Sequence, residues 1–188
     1  MRTSLVALFT SLLLLAGCRS APVHYHTLTP LLPGPARTVQ PGGSLLIERV
    51  TVPAQVDRTQ IVVRQGVHGL AILETDWWGA SLADELQGAL VDQLNRRPAP
   101  ASKTSLRVDV QRFDLVPGRY ALLDVKWRLR TSRLSDGATM ELNCQGILRS
   151  PAGESVDDLV TAQQANVQEI AAMISEFNQG SCPLPYGS

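Results

Sequence analysis

The sequence is short of the residues that most enzyme chemistry needs. It holds three histidines and three cysteines. It has no Gly-x-Ser-x-Gly elbow, no phosphate-binding loop and no dinucleotide fingerprint. These absences leave acyl hydrolysis, nucleotide-driven work and hydride transfer without a carrier motif. Lys plus Arg and Asp plus Glu each number 17, and no basic block stands out. The electrostatic footprint of a nucleic-acid binder is therefore missing. Beyond the N-terminal segment, no apolar run reaches the roughly 18 residues expected of a membrane helix.

The few titratable clusters are weak candidates. His24 and His26 form a His-x-His with no cysteine or acid close by in sequence, too few ligands for a metal site. His68 sits beside Gly69 in a turn-like stretch. The pairs Asp84–Glu85 and Asp157–Asp158 fall in the first turns of expected helices, where acids favour the helix dipole without any catalysis. We read no catalytic, cofactor or metal site.

What is present begins at the N-terminus. Arg2 precedes an apolar run from Leu5 to Leu15. The run is shorter than the ~20 residues that span a bilayer core, and it fits the apolar region of a secretory signal. Leu15-Ala16-Gly17-Cys18 resembles the bacterial lipobox. The resemblance implies a diacylglyceryl thioether on Cys18, removal of residues 1–17 as a signal peptide, and acylation of the new N-terminus. Two or three acyl chains anchor stably where one does not, at ~0.8 kcal/mol per buried CH₂. The alternative is a plain secretory signal in which Cys18 is incidental. Residue 19 is Arg rather than the Asp that commonly retains such lipoproteins at the inner membrane. Its identity implies the periplasmic face of the outer membrane in a Gram-negative cell.

Residues 18–43 read as a tether. "TPLLPGPARTVQPGG" has four prolines, three glycines and no periodicity, a composition that stays extended. Residues 44–188 read as one domain. "SLLIERVTV", closed by Pro53, "TQIVVRQG" and "HGLAILETD" are strand-like, with Gly66 marking a turn. Ser81 caps a helix over 81–95, with Asp84 three residues later in a variant capping box. Leu82, Leu86, Ala89, Leu90 and Leu94 share one of its faces. Arg96 and Arg97 close it, and Pro98 and Pro100 stop it.

Three long strands follow. Leu106, Val108 and Val110 alternate with Arg107, Asp109 and Gln111. Phe113 breaks the parity, which predicts a bulge near Arg112. Pro117-Gly118 turns the chain. Leu123, Val125, Trp127 and Leu129 alternate with Asp124, Lys126, Arg128 and Arg130. Asp136-Gly137 is a hairpin signal, and Met140, Leu142 and Cys144 alternate in the third strand. Ser155, with Asp158, caps a second helix to about Phe177, striped by Val156, Leu159, Val160, Val167, Ile170, Ala171, Ile174 and Phe177. The expected fold is α+β: an antiparallel sheet with two helices packed on one face, in the order βββ-α-βββ-α.

With Cys18 lipidated, Cys144 and Cys182 remain. Parity points Cys144 at the buried face, and Cys182 follows the covering helix. A bridge between them is worth about 3–4 kcal/mol on the chain-entropy model, and two free thiols are the alternative. Trp77-Trp78 also reads two ways: one ring under the helix start with the other at the surface, or a partner contact. The row Lys126, Arg128, Arg130 is a solvated face or a dock for an acidic partner.

"VTVPAQVDRTQIVVR", residues 50–64, resembles the signature of PqiC/YmbA-type lipoproteins, the auxiliary lipoproteins of ABC-type and MCE-type transport systems. Tyr25 and Leu28 after the lipobox, the Trp-containing start of the first helix and "LRVDVQRFD" add to the match, which covers most of residues 15–175. His26 departs from it, standing where the family often has a second Tyr. The resemblance implies a non-catalytic subunit without cofactor. It would dock onto MCE-domain proteins and inner-membrane permease components, in a system passing phospholipid between membranes. A homo-oligomeric ring would suit a docking collar. Within the motif, Pro53 ends the first strand and Ile61 to Val63 form a short buried strand. Asp57 and Arg58 make a structural ion pair or loop hydrogen bonds, or else touch a partner. Gln60, Trp77 and Trp78 join them as candidate contacts. The runner-up is a lipid-anchored structural or assembly factor of another envelope complex, such as a secretion system. A periplasmic hydrolase is a third class, without a visible catalytic constellation.

Overall fold

Period-two alternation puts one apolar face on each long strand, and these faces need cover. The computed structural model describes residues 21–31, 44–96, 103–132, 137–175 and 182. The expectations placed on Cys18, the signal segment, most of the tether, Asp136 and Phe177 lie outside the described residues. Strands β5 (Lys103–Val116), β6 (Tyr120–Ser132) and β7 (Thr139–Pro151) form the antiparallel meander. Its register slips between Val110 and Arg112. That bulge keeps Phe113 on the buried side after the parity change. Gly118 takes the left-handed backbone of the β5–β6 turn, at φ +68°.

Helices α1 (Leu82–Asn95) and α2 (Val156–Ser175) cover the apolar face. Ser81 and Ser155 act as N-caps, each accepting from the amide of the residue three later, Asp84 and Asp158. Leu86, Leu90, Val167 and Ile170 meet Val108, Val110, Leu123 and Val125, with a residual void of only about 10 Å³ between them. Two polar side chains are buried in the α2 stripe. Gln163 Nε2 donates to the Leu122 carbonyl at 3.2 Å, and Asn166 Nδ2 to the Ala121 carbonyl at 3.1 Å. Ser150 Oγ donates to Asn166 Oδ1 at 2.7 Å, so this buried network is hydrogen-bonded throughout.

The fold class is α+β, but the sheet is not wholly antiparallel, which corrects the expectation. Strand β2 (Ser44–Thr51) joins the free edge of β5 in parallel, with Ile47 opposite Leu106 and Val50 opposite Val108. Alternation looks the same in either direction, so the pattern could not distinguish them. Nor is there one sheet. β3 (Gln60–Gln65) and β4 (Gly69–Trp78) form an antiparallel hairpin in a second sheet of order β1-β4-β3. Its third member, β1 (His24–His26), runs parallel to β4. It lies within the stretch read as tether. Three residues, His-Tyr-His, carry no alternation of their own. They are held by what surrounds them: Leu28 is fully buried, and Glu85 Oε2 accepts from the Thr27 hydroxyl at 2.8 Å and the Leu28 amide at 2.9 Å.

Asp114 ties the two sheets together. Its buried carboxylate accepts from Arg64 on β3, at 2.7 and 2.8 Å, and from Arg112 at 2.6 Å. Such a charge is tolerable only because it is paired. Cys144 and Cys182 are joined as a disulfide, with their Cα atoms 5.5 Å apart, which pins residue 182 to β7.

Gly146 on β7 lies where α2 packs closely against the strand. A Cβ there would stand 3.0 Å from Ile170 Cδ1 and 3.2 Å from Met173 Cε and Trp127 Cζ3. Gly146→Val is expected to destabilise the fold by about 1–3 kcal/mol, the usual cost of overpacking a filled core. A urea melt followed by tryptophan fluorescence measures this, and an unchanged midpoint would show that α2 can shift to make room.

Candidate docking surface

The 50–64 motif builds the turn that leads out of β2. The Pro53 carbonyl accepts from the Val56 and Asp57 amides at 2.9 and 3.1 Å, and the Arg58 amide donates to the Val56 carbonyl at 2.9 Å. Val56 is buried beneath, and Ile61, Val62 and Val63 are buried in β3. Asp57 is exposed. Arg58 is half-buried, and its Nε is enclosed without a hydrogen-bond partner among the described residues. Gln60 opens β3 opposite Trp77, and the Trp78 amide donates to the Thr59 carbonyl at 2.6 Å. The motif is therefore a corner between the two sheets.

Trp77 and Trp78 end β4, so their rings point to opposite faces. Trp78 is buried, edge-on to Phe113 at 6.1 Å. Trp77 is half-buried, donates from Nε1 to the Glu74 carbonyl at 2.9 Å, and meets the exposed Tyr25 ring at 6.4 Å. His26 has acid neighbours after all: Nε2 lies 3.0 Å from Asp76 Oδ1, and Nδ1 3.4 Å from Asp157 Oδ1. They are distant in sequence and arrive through the β1–β4 pairing and the first turn of α2. His24 is exposed, and His68 is exposed in the β3–β4 turn. Among the described residues, no group of three or more His, Cys, Asp and Glu side chains is placed to hold a metal.

An open cleft lies on the polar face of the four-stranded sheet, turned away from the helices. Arg49 and Thr51 of β2, Arg107 and Asp109 of β5, Lys126 and Arg128 of β6, and Asn143 and Gln145 of β7 line a cleft of about 530 Å³. Part of its charge is spent internally. Arg107 pairs with Glu48, Arg128 Nη1 lies 3.7 Å from Glu141 Oε1, and Asp109 accepts from the Thr51 hydroxyl at 2.8 Å. Arg49, Lys126 and Arg130 have no ion-pair partner among the described residues. The cleft thus keeps unneutralised cations at its rim, beside amides that can both donate and accept. The row that sequence parity picks out, Lys126, Arg128 and Arg130, belongs to this face; Arg49 and Arg107 join it through the parallel β2–β5 pairing, which the pattern did not reveal.

Hydrogen bonds from Arg107 first, and Ser105 second, hold the Glu48 carboxyl below the usual carboxylate range. The folded value lies below the unfolded one. The pair's contribution is therefore complete above the unfolded value and is lost as pH falls through the folded one. Carbon-detected NMR titration of Glu48 should show a midpoint below that of a free glutamate, and Arg107→Gln should move it back up. A midpoint unchanged by that substitution would mean that Arg107 does not hold the carboxylate.

Comparison with known proteins adds the family. Residues 26–175 match the family model described as ABC-type transport auxiliary lipoprotein component. The match starts within β1 and ends at the last residue of α2. A crystal structure of an uncharacterized protein superposes with a TM-score of 0.62 at 18% identity, covering 83% of this chain and 98% of that one. A Xanthomonas campestris protein of the DUF330 family gives a TM-score of 0.55 at 15% identity, covering 82% and 94%. At such identities these likenesses speak for the fold alone. The search of curated proteins returned no match. A lipoprotein family of this kind supports a membrane-anchored envelope protein associated with transporter components. The chain belongs to the ABC-type transport auxiliary lipoprotein family, that of the PqiC/YmbA-type lipoproteins.

Proposed function

We propose that this protein is the outer-membrane-anchored docking subunit of an MCE-type transport system that moves phospholipid between the two membranes. Family membership across residues 26–175 is the observation that carries the reading. Cys18 is the attachment point for lipid, and Arg19 leaves the protein free to sort outward. The role is non-catalytic, with energy supplied by inner-membrane permease components. The domain docks rather than ferries. Where Leu86, Leu90, Val167 and Ile170 meet the sheet, the void left is about 10 Å³, far too small for an acyl chain. The open feature is instead the polar cleft, whose free cations suit an acidic surface on an MCE-domain partner. Copies of the chain arranged as a ring would present several such clefts to one tunnel mouth.

The test is a pull-down of the intact lipoprotein from crosslinked envelopes, read by mass spectrometry. An MCE-domain protein should be recovered, and its yield should fall in Cys18→Ala and in Lys126→Glu. Recovery with Cys18→Ala reduced but Lys126→Glu unaffected would keep the transport role and move the docking surface off the cleft. Recovery of secretion or outer-membrane assembly subunits instead would replace the transport reading with that of an anchored assembly factor.

A further inference from the structure

The β3–β4 hairpin ends in an apolar tip that no described element covers. Gly66, at φ +62°, forms the turn. Val67, next to it, is 87% exposed. Leu70 and Ile72, two apart on the outer face of β4, are 39% and 48% exposed. Glu74 follows on the same face and ends the apolar row. Three exposed aliphatic side chains at one pole, beside His68, form a tip that a lipid surface would accept.

The direction of the chain says which surface lies nearest. β1 is parallel to β4, with His24 opposite Asp76, Tyr25 opposite Trp77 and His26 opposite Trp78. Going backwards from His24 therefore leads along β4 towards the hairpin tip. Cys18 stands as far before His24 as Leu70 stands before Asp76. Six residues reach at most about 20 Å, so Cys18 stays within that distance of His24. Pro22 has no N–H to offer the open edge of β4, so this proximity follows from chain direction and length, not from a ladder. The chain thus enters β1 from the end of the molecule that carries Val67, Leu70 and Ile72, with Cys18 six residues before His24 in sequence.

We propose that the β3–β4 tip rests in the lipid surface beside the anchor, as a second membrane contact. The inference rests on Cys18 as the lipid attachment point. One lipid anchor on its own leaves the domain free to tumble. A second contact fixes which way the domain faces, and Glu74 limits the contact to a shallow one.

The full-length lipoprotein, with its lipid and disulfide in place, is reconstituted in phosphatidylethanolamine–phosphatidylglycerol vesicles. An environment-sensitive fluorophore is attached through Val67→Cys or Ile72→Cys, and through Gln87→Cys on exposed α1 as a control. Cys18→Ser reports on the anchor. The expected result is vesicle binding lost in Cys18→Ser, with emission at 67 and 72 blue-shifted and quenched by lipids spin-labelled near the headgroup, and no change at 87. Vesicle-bound protein with water-like emission at 67 and 72 overturns the tip contact and leaves the anchor reading standing. Equal shifts at all three sites also overturn it, since the domain then has no preferred face. Binding that does not depend on Cys18, or no binding at all, overturns the anchor reading and the tip contact with it.

Discussion

The parallel pairing of β2 with β5 governs the rest of this architecture. Two antiparallel neighbours need only a tight turn, but two parallel ones need a crossover long enough to carry the chain back. Here that crossover is residues 52–102. It contains the Pro53 corner, the β3–β4 hairpin and α1. The second sheet is thus what the crossover makes on its way, and α1 is the element that returns it. β1 then adds to β4, also in parallel, and draws the N-terminal segment onto the body through Leu28 and Glu85. Asp114, gripped by Arg64 and Arg112, fixes the angle at which the hairpin leaves the main sheet.

This arrangement assigns the two faces of the four-stranded sheet to different work. The inner face is covered by α1 and α2; the polar side chains of α2 buried there, Gln163 and Asn166, have partners, while Gln93 Nε2 on α1 is buried without one among the described residues. The outer face has no covering layer among the described elements and remains wet, with cations that internal pairing does not exhaust. A domain so packed acts on other molecules through its outside. The family to which the chain belongs is described as one of transport auxiliary components.

Much of this was legible in the sequence. Alternation located β5, β6 and β7, Phe113 announced a bulge near Arg112, where the register slips between Val110 and Arg112, and Ser81 and Ser155 marked both helix starts. Strand direction was not legible, because period-two burial is identical in parallel and antiparallel ladders. β1 was hidden because three polar and aromatic residues beside prolines look like any linker; their order comes from Trp77 and Glu85, dozens of residues away. For the same reason the acid neighbours of His26 were invisible. Gly146 gave no local sign of helix contact, since a glycine in an exposed-looking strand says only that something is close. The cleft was half legible: parity found Lys126, Arg128 and Arg130, while Arg49 and Arg107 needed the β2–β5 register.

The bond between Cys144 and Cys182 has a bearing on timing. It closes a loop of 38 residues that contains the whole of α2, the helix on which the inner face depends. Such a bond persists only in an oxidising compartment. A chain made in a reducing cytosol therefore has its covering helix held by packing alone, and the two ends of that loop remain unjoined. If the chain is exported, the link that locks the helix over the sheet forms only after the crossing. The precursor is then the looser form, as a chain that must thread a membrane requires, and the mature protein the locked one.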